Sequence, residues 1–260
     1  MFKIIKYVLK DLFRAHWLYV YCGFFGVLCL GLMFLTTDLS KAVLNLMNVL
    51  LLLTPLMGIV FGMIYFFNAR EYSALFLSMP LRRHYLFWGQ YLGVSMALSA
   101  CILIGMGLPL FLFVITNTAA IGSFLLLAGL GILLSFIFTA WALLLSLSLE
   151  NRVKGFGYGI LLWLFFALIY DTVLLLVFLS FSDYPLQGFA LGATLLNPID
   201  LARILLLMTL DIQALMGYTG AVFKQFFGQP MGVMIAFGML FFWIGIPLLW
   251  SHKRLNRKDF

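Results

Sequence analysis

The sequence predicts an all-α integral membrane protein with six transmembrane helices, an N-terminal in-plane amphipathic helix and both termini in the cytoplasm. Three observations predict it. Hydrophobic residues make up 65% of the 260-residue chain and charged ones 10%, against roughly 25% charged in an ordinary soluble domain. A 29.5 kDa sphere cannot bury so much apolar surface in water, so a mean hydropathy of +1.12 marks lipid as the solvent. Six apolar stretches reach the roughly 20 residues that a bilayer core of about 30 Å demands. Their connections carry the basic residues with a strong bias to one side. The net charge of +7 is therefore a matter of topology. The basic residues do not cluster on one soluble face, and no nucleic-acid partner is expected.

The first sixteen residues read as a helix lying on membrane lipid. Lys3, Lys6, Lys10 and Arg14 recur at spacings of three and four on one face, and Phe2, Ile5, Leu9 and Leu12 on another, widened by Val8 and Phe13. A plain positive flank that only sets topology is the simpler alternative. Spans follow at about 17–37, 43–67, 91–115, 121–149, 156–182 and 231–250. The fourth and fifth are long enough to tilt or to project. One set of connections and tails holds Lys3, Lys6, Lys10, Arg14, Arg70, Arg82, Arg83, Arg152, Lys154, Lys253, Arg254, Arg257 and Lys258. The other holds Lys41, Arg203 and Lys224. The richer set belongs in the cytoplasm.

A seventh span over 201–223 competes. It contains Arg203 and Asp211, preceded by Asn197-Pro198, and a charged group near a lipid-exposed helix centre costs about 2.5–3.5 kcal/mol on insertion scales. It would also carry the basic tail outside. Residues 183–230 are therefore expected to form an external segment with one or two short helices on or partly in the interface. No removable signal peptide, repeat or flexible linker is recognisable, and 1–260 reads as a single transmembrane domain.

The connection between spans two and three is the most informative stretch outside the lipid. It runs Asn68-Ala-Arg70-Glu71-Tyr-Ser-Ala-Leu-Phe-Leu77-Ser78-Met-Pro80-Leu-Arg82-Arg83-His84. It is too long for a tight turn, and Pro80 disfavours a continuous helix while extending Met79. A short helix, a corner and a second returning helix are expected. Such a helix suits a groove on a cytoplasmic partner, although an ordinary positive-inside connection has the same composition.

With Arg70-Glu71, Leu77-Ser78-Met79-Pro80, Arg82-Arg83 and Gly89 in place, the chain resembles the permeases of type-2 ABC exporters. It departs from their pattern at Tyr72-Ser73-Ala74, where a Gly-Thr is usual, and at Gln90, where a Lys is usual. Within that class it is similar to the NosY-like permeases of the NosDFY exporters, which serve the maturation of nitrous oxide reductase. Thr54-Pro55-Leu56, Leu168-Ile169-Tyr170-Asp171 and Leu195-Leu196-Asn197-Pro198-Ile199-Asp200-Leu201-Ala202-Arg203 carry that likeness. The resemblance implies a coupling helix between spans two and three, formed by Arg70, Glu71, Ser78, Pro80, Arg82 and Arg83, that engages a cytoplasmic ABC ATPase. It also implies a second copy of the chain and a periplasmic NosD-like repeat protein docked on the outer segment near Asn197, Pro198, Asp200 and Arg203. The implied setting is a bacterial inner membrane. The implied activity is export of a sulfur-containing species that supports the copper–sulfide centre of the reductase, with ATP and Mg on the partner ATPase. Export of a lipid, drug or polysaccharide, or a membrane-embedded enzyme or scaffold, are the alternatives.

The chemistry in the chain itself is sparse. No Gly-x-x-x-x-Gly-Lys-Ser/Thr phosphate loop, His-Glu-x-x-His or Cys-x-x-Cys occurs. No catalytic residue, cofactor or metal site is assigned in this chain. His16, His84 and His252 share no ligand spacing. Cys22, Cys29, Cys101 and the methionines have the softness that Cu(I) prefers, but they are also ordinary packing residues. Asp171 is the one acid well inside a predicted span. An acid there has a partner or a function, either in translocation or in a structural hydrogen bond to a neighbouring helix or to Arg203.

Overall fold

The structure, a computed structural model, describes residues 2–35, 39–77, 83–114, 121–181, 187–210, 226 and 229–257. No strand occurs among them. The helices are α1 (Phe2–Leu12), α2 (His16–Leu35), α3 (Leu39–Leu77), α4 (Arg83–Val114), α5 (Ile121–Ser148), α6 (Arg152–Leu164), α7 (Tyr170–Ser180), α8 (Gln187–Leu196), α9 (Pro198–Thr209) and α10 (Pro230–Arg257), with a π-helical turn, Phe165–Ile169, joining α6 to α7. Six stretches are long and apolar enough to cross a membrane: His16–Leu35, Lys41–Arg70, His84–Pro109, Ile121–Ser148, Arg152–Ser180 and Pro230–Leu255. The third starts at His84, earlier than the purely apolar run, because Tyr85-Leu-Phe-Trp88 continues its helix with interfacial aromatics. In the same way α3 runs past Arg70 to Leu77, so residues 70–77 are the end of a span-length helix.

α5 is the axis of the bundle. It is in contact with α3, α4, α6, α9 and α10, and its buried face includes Phe124, Leu127, Leu130, Leu134, Ile137 and Phe138. Lipid tails are as apolar as leucine, so helix association rests on close packing more than on the hydrophobic effect. Three seams supply that packing, each a pair of glycines four residues apart. Gly58 and Gly62 of α3 meet α5, where an added Cβ would stand 3.1 Å from Phe138 Cβ and 2.8 Å from Ala142 Cβ. Gly155 and Gly159 of α6 meet α3, with Phe67 Cζ at 2.6 Å and Ile59 Cγ2 at 2.7 Å from the same positions. Gly89 and Gly93 of α4 receive α1, with Ile4 Cγ2 at 2.6 Å and Val8 Cγ1 at 2.5 Å. At each of these positions an added Cβ would force a neighbouring side chain or helix to shift, least at Gly58.

The third seam fixes the N-terminal helix. Val8 is buried and Ile4 half-buried against α4, while Lys3, Lys6 and Lys10 stay exposed. Prolines lie inside three of the span helices, Pro55 in α3, Pro109 in α4 and Pro247 in α10. Pro55 has no N–H to give to the Leu51 carbonyl of α3, and the next carbonyl, of Leu52, accepts from Trp163 Nε1 at 3.0 Å. In α10, Ser251 Oγ donates to the Pro247 carbonyl at 2.6 Å.

Contacts at the helix ends define one end of the bundle. Ile4 seats on Gly89, Arg70 Nη2 donates to the Leu149 carbonyl, Phe67 stacks on Phe156, and His84 lies 5.4 Å from His252. The N-terminus, the end of α3, the starts of α4 and α6 and the end of α10 therefore stand together. Lys3, Lys6, Lys10, Arg14, Arg70, Arg152, Lys154, Lys253 and Arg254 share that end. Ser180 and Pro230 stand at the opposite end, so whatever lies between them has to return to the side it left. That condition holds for six spans.

Candidate functional site

The site is built where the long connection between spans five and six turns back on itself. α8 and α9 have 10 and 12 residues, about 15 and 18 Å of helix, half of a bilayer core each. They are bent by 117° at Asn197. Three hydrogen bonds give the depth of the corner. Asn197 Nδ2 donates to the Phe166 carbonyl at 2.9 Å, Tyr170 Oη to Ala193 O at 2.6 Å, and Trp243 Nε1 to Leu195 O at 3.3 Å. Phe166 is the middle residue of Arg152–Ser180, and Trp243 sits at the middle of Pro230–Leu255. The corner thus lies level with the midpoints of both spans, deeper than the interfacial position the sequence suggests. The reason is pairing: the insertion cost that argues for an external position applies to isolated charges, and these charges are not isolated.

Asn197 organises the corner from a fully buried position. Its Oδ1 accepts from the Ile199 N–H at 3.0 Å and so caps α9, with Pro198 at the first helical position. Its Nδ2 donates to Phe166 O and to Asp200 Oδ2 at 2.8 Å. The Phe166 carbonyl lies in the π turn, where the regular helical ladder is interrupted. Arg203, one turn beyond Asp200, places Nη1 3.0 Å from Asp200 Oδ1 and 2.8 Å from Asp171 Oδ2. Two carboxylates thus share one guanidinium nitrogen, with a formal charge of −1 when both acids are ionised. The Asp200 side chain is 11% exposed, but Arg203 and Asp171 are 34% and 36% exposed. Both stay partly open beside α7, whose Val173, Leu175, Leu176 and Leu179 are exposed. No residue of α7 is fully buried, and Arg152–Ser180 is the least buried of the six spans.

The structure therefore brings Asp171, distant in sequence, to Asn197, Pro198, Asp200 and Arg203 in one cluster, including the Asp171–Arg203 pair weighed from the sequence. The residues of the α3–α4 connection are not gathered in this way. Ser78, Pro80 and Arg82 lie outside the described residues, as do the side chains of Glu71 and Arg83. Arg70 is described, and it faces inward. Its guanidinium donates to Leu149 O at 2.9 Å, at the end of α5, and lies 4.7 Å from the Phe67 ring centre. A cation on the last carbonyls of a helix is a capping arrangement. Tyr170 and Trp243 hold the corner and were not foreseen, since a tyrosine or tryptophan in an apolar run gives no sign of its acceptor. Among the described residues, no three His, Cys, Asp or Glu side chains gather where a metal could be held.

No family model matches the chain. Two curated proteins match it over nearly their whole length. One, from Pseudomonas aeruginosa, is 27% identical over an alignment of 271 positions that covers 98% of this chain and 97% of the relative. The other, from Stutzerimonas stutzeri, is 24% identical over 278 positions, covering 99% and 98%. Six helices long and apolar enough to cross a membrane make the chain a multi-pass membrane protein. Both relatives bear the name probable ABC transporter permease protein NosY. The present chain is similar to these permeases over nearly its whole length.

Proposed function

We propose that the chain is the membrane subunit of an exporter of the bacterial inner membrane, working as two copies with a cytoplasmic ABC ATPase that supplies ATP, Mg and hydrolysis. The observation that carries the reading is the Asp171–Arg203–Asp200 cluster on the open face of the least buried span. A partly exposed ion pair at mid-depth is expensive. A second copy laid against α6 and α7 would enclose it, and the enclosed seam would hold a polar, formally anionic station halfway across the bilayer. Cargo passing there meets a guanidinium already shared by two acids, so Asp171, the more exposed acid, is the group free to exchange partners. The basic end of the bundle would face the cytoplasm, with Glu71, Ser78, Pro80, Arg82 and Arg83 presented to the ATPase. The inward contacts of Arg70 support a bracing role for it behind that surface. By likeness to NosY, the exporter serves maturation of the copper–sulfide centre of nitrous oxide reductase by moving a sulfur-containing species outward, and a periplasmic NosD-like repeat protein docks above α8 and α9.

Affinity purification of the tagged chain with mass spectrometry of its partners tests the assignment. An ATPase together with a periplasmic repeat protein is the expected result. An ATPase alone would point to an exporter of lipid, drug or polysaccharide, and neither partner would overturn the transport reading. Glu71→Arg should lower ATPase recovery while the protein remains inserted, and undiminished recovery would remove Glu71 from the contact.

A further inference from the structure

A cavity lies at the basic end, away from the cluster just described and untouched by the proposed transport role. It has a volume of about 400 Å3 and sits between the α1–α2 elbow, α3 and α4. That size is within the usual range of small-molecule sites. Its floor is apolar, formed by Leu18, Phe61, Ile64, Val94, Ala97 and Leu98; of these, Leu18, Val94, Ala97 and Leu98 are buried. Its mouth carries Asp11, Arg14, Trp17 and Asn68, all exposed. No ion pair of Asp11 or Arg14 is found among the described residues, although the two stand three positions apart at the end of α1.

The height of the cavity matches one leaflet. Phe61 lies nine residues before Arg70 on α3, about 13 Å along the helix, which is close to half of a 30 Å hydrocarbon core. The mouth lies at the level of α1, whose exposed lysines mark the headgroup region. An occupant therefore has an apolar body as long as an acyl chain and a head that meets an acid and a base side by side. Arg14 suits a phosphate, and Asp11 suits an ammonium that can donate hydrogen bonds. A quaternary ammonium has no proton to give to Asp11, and a purely anionic head would meet Asp11 as a like charge. We infer that the cavity between the α1–α2 elbow, α3 and α4 is a binding site for a phospholipid with a primary-ammonium zwitterionic head, phosphatidylethanolamine by class. Its phosphate meets Arg14, its ammonium meets Asp11, and one acyl chain lies on Ala97 and Leu98. The lipid would wedge the N-terminal helix in place beside the Gly89–Gly93 seam.

Trp17 reports the site directly. The full chain is reconstituted in phosphatidylcholine bilayers, and brominated-chain phosphatidylethanolamine, phosphatidylglycerol or phosphatidylcholine is added in increasing proportion. The fluorescence lost in the wild type but not in Trp17→Phe is the signal of this tryptophan. Brominated phosphatidylethanolamine should saturate the quenching at a proportion at least about fivefold lower than the other two. Asp11→Asn should remove that preference, since one hydrogen bond to a charged group is worth about tenfold, whereas Arg14→Gln should weaken all three lipids alike, because each carries a phosphate; both positions are exposed. Ala97→Phe, which fills the floor, should abolish saturation. Equal quenching by all three lipids would overturn the proposal in favour of ordinary boundary lipid. Strongest quenching by phosphatidylglycerol would reduce it to the general basicity of α1, and an unchanged preference in Asp11→Asn would remove the head-group assignment.

Discussion

Removing the guanidinium of Arg203 tests the mid-depth cluster most directly. Arg203→Gln keeps much of the side-chain length and deletes the charge. Two charge-assisted hydrogen bonds are lost, at 2.8 and 3.0 Å, each worth about 1.5–3 kcal/mol when well buried. The bond to Asp171 belongs at or below the low end, because both side chains are about a third exposed. The bond to Asp200, whose side chain is 11% exposed, belongs higher. The two acceptor oxygens lie on one nitrogen and so stand no more than about 6 Å apart; at that distance two bare carboxylates repel by about 3 kcal/mol at an effective dielectric of 20. These contributions overlap, since either acid relaxes once the arginine is gone. The expected destabilisation is about 3 kcal/mol. Equilibrium unfolding of the purified chain in mixed phospholipid–detergent micelles, followed by tryptophan fluorescence, measures it. The repulsion predicts a rescue: Asp171→Asn with Arg203→Gln should recover about 2 kcal/mol relative to Arg203→Gln alone. An Arg203→Gln protein within about 0.5 kcal/mol of wild type would refute the reasoning. So would a double variant that is merely the sum of the two singles.

The remaining predictions concern the same scaffold. Asp171→Asn should fold, because Arg203 keeps Asp200 as its partner, and should abolish transport; unchanged maturation of the reductase in cells carrying it would take Asp171 out of the mechanism. Asn197→Ala removes the α9 cap and a donor to both Phe166 O and Asp200, for a loss of about 2–3 kcal/mol in the same unfolding assay. Gly93→Leu should lift α1 from α4 at a cost of about 1–3 kcal/mol, seen as faster trypsin cleavage at Lys6 and Lys10. Val8→Gly in the Gly93→Ala background should re-seat the helix, because the Val8 Cγ1 and Cβ atoms that the added Cβ would meet at 2.5 and 2.6 Å are then gone.

The spans were legible because a bilayer imposes one length and one polarity on every crossing, and 20-residue apolar runs have no other common explanation. The hairpin was half legible. Asn197-Pro198 announced a helix start, and Arg203 and Asp171 were paired in advance as one possibility. The depth of the corner was hidden because α8 and α9 are each too short for a span and because a charge in sequence is priced as if alone. Asp200 lies one helical turn from Arg203, but nothing local shows that both of them face Asp171 from 30 residues away. The glycine seams were invisible for a related reason. Gly89 drew attention only as part of a motif, and a glycine becomes a notch only when the helix that fills it is known. The α3–α4 connection was read through resemblance, and apart from Arg70 its polar side chains lie outside the described residues.

The π turn at Phe165–Ile169 has a consequence for how the acid comes to face the bundle at all. On an unbroken α-helix each residue advances by about 100°, which would place position 171 about 140° around the wheel from the seam formed by Gly155 and Gly159. One extra residue in the turn takes back about 100° of that advance and leaves Asp171 about 40° from the seam direction. The same insertion that loosens the Phe166 carbonyl for Asn197 thereby swings the carboxylate from the lipid side toward Arg203. Deleting a single residue from 165–169 would leave the apolar composition of the span intact and aim its acid at the hydrocarbon. A span can thus gain or lose its polar station by a change of one residue in length, with no change in which charged residues it carries.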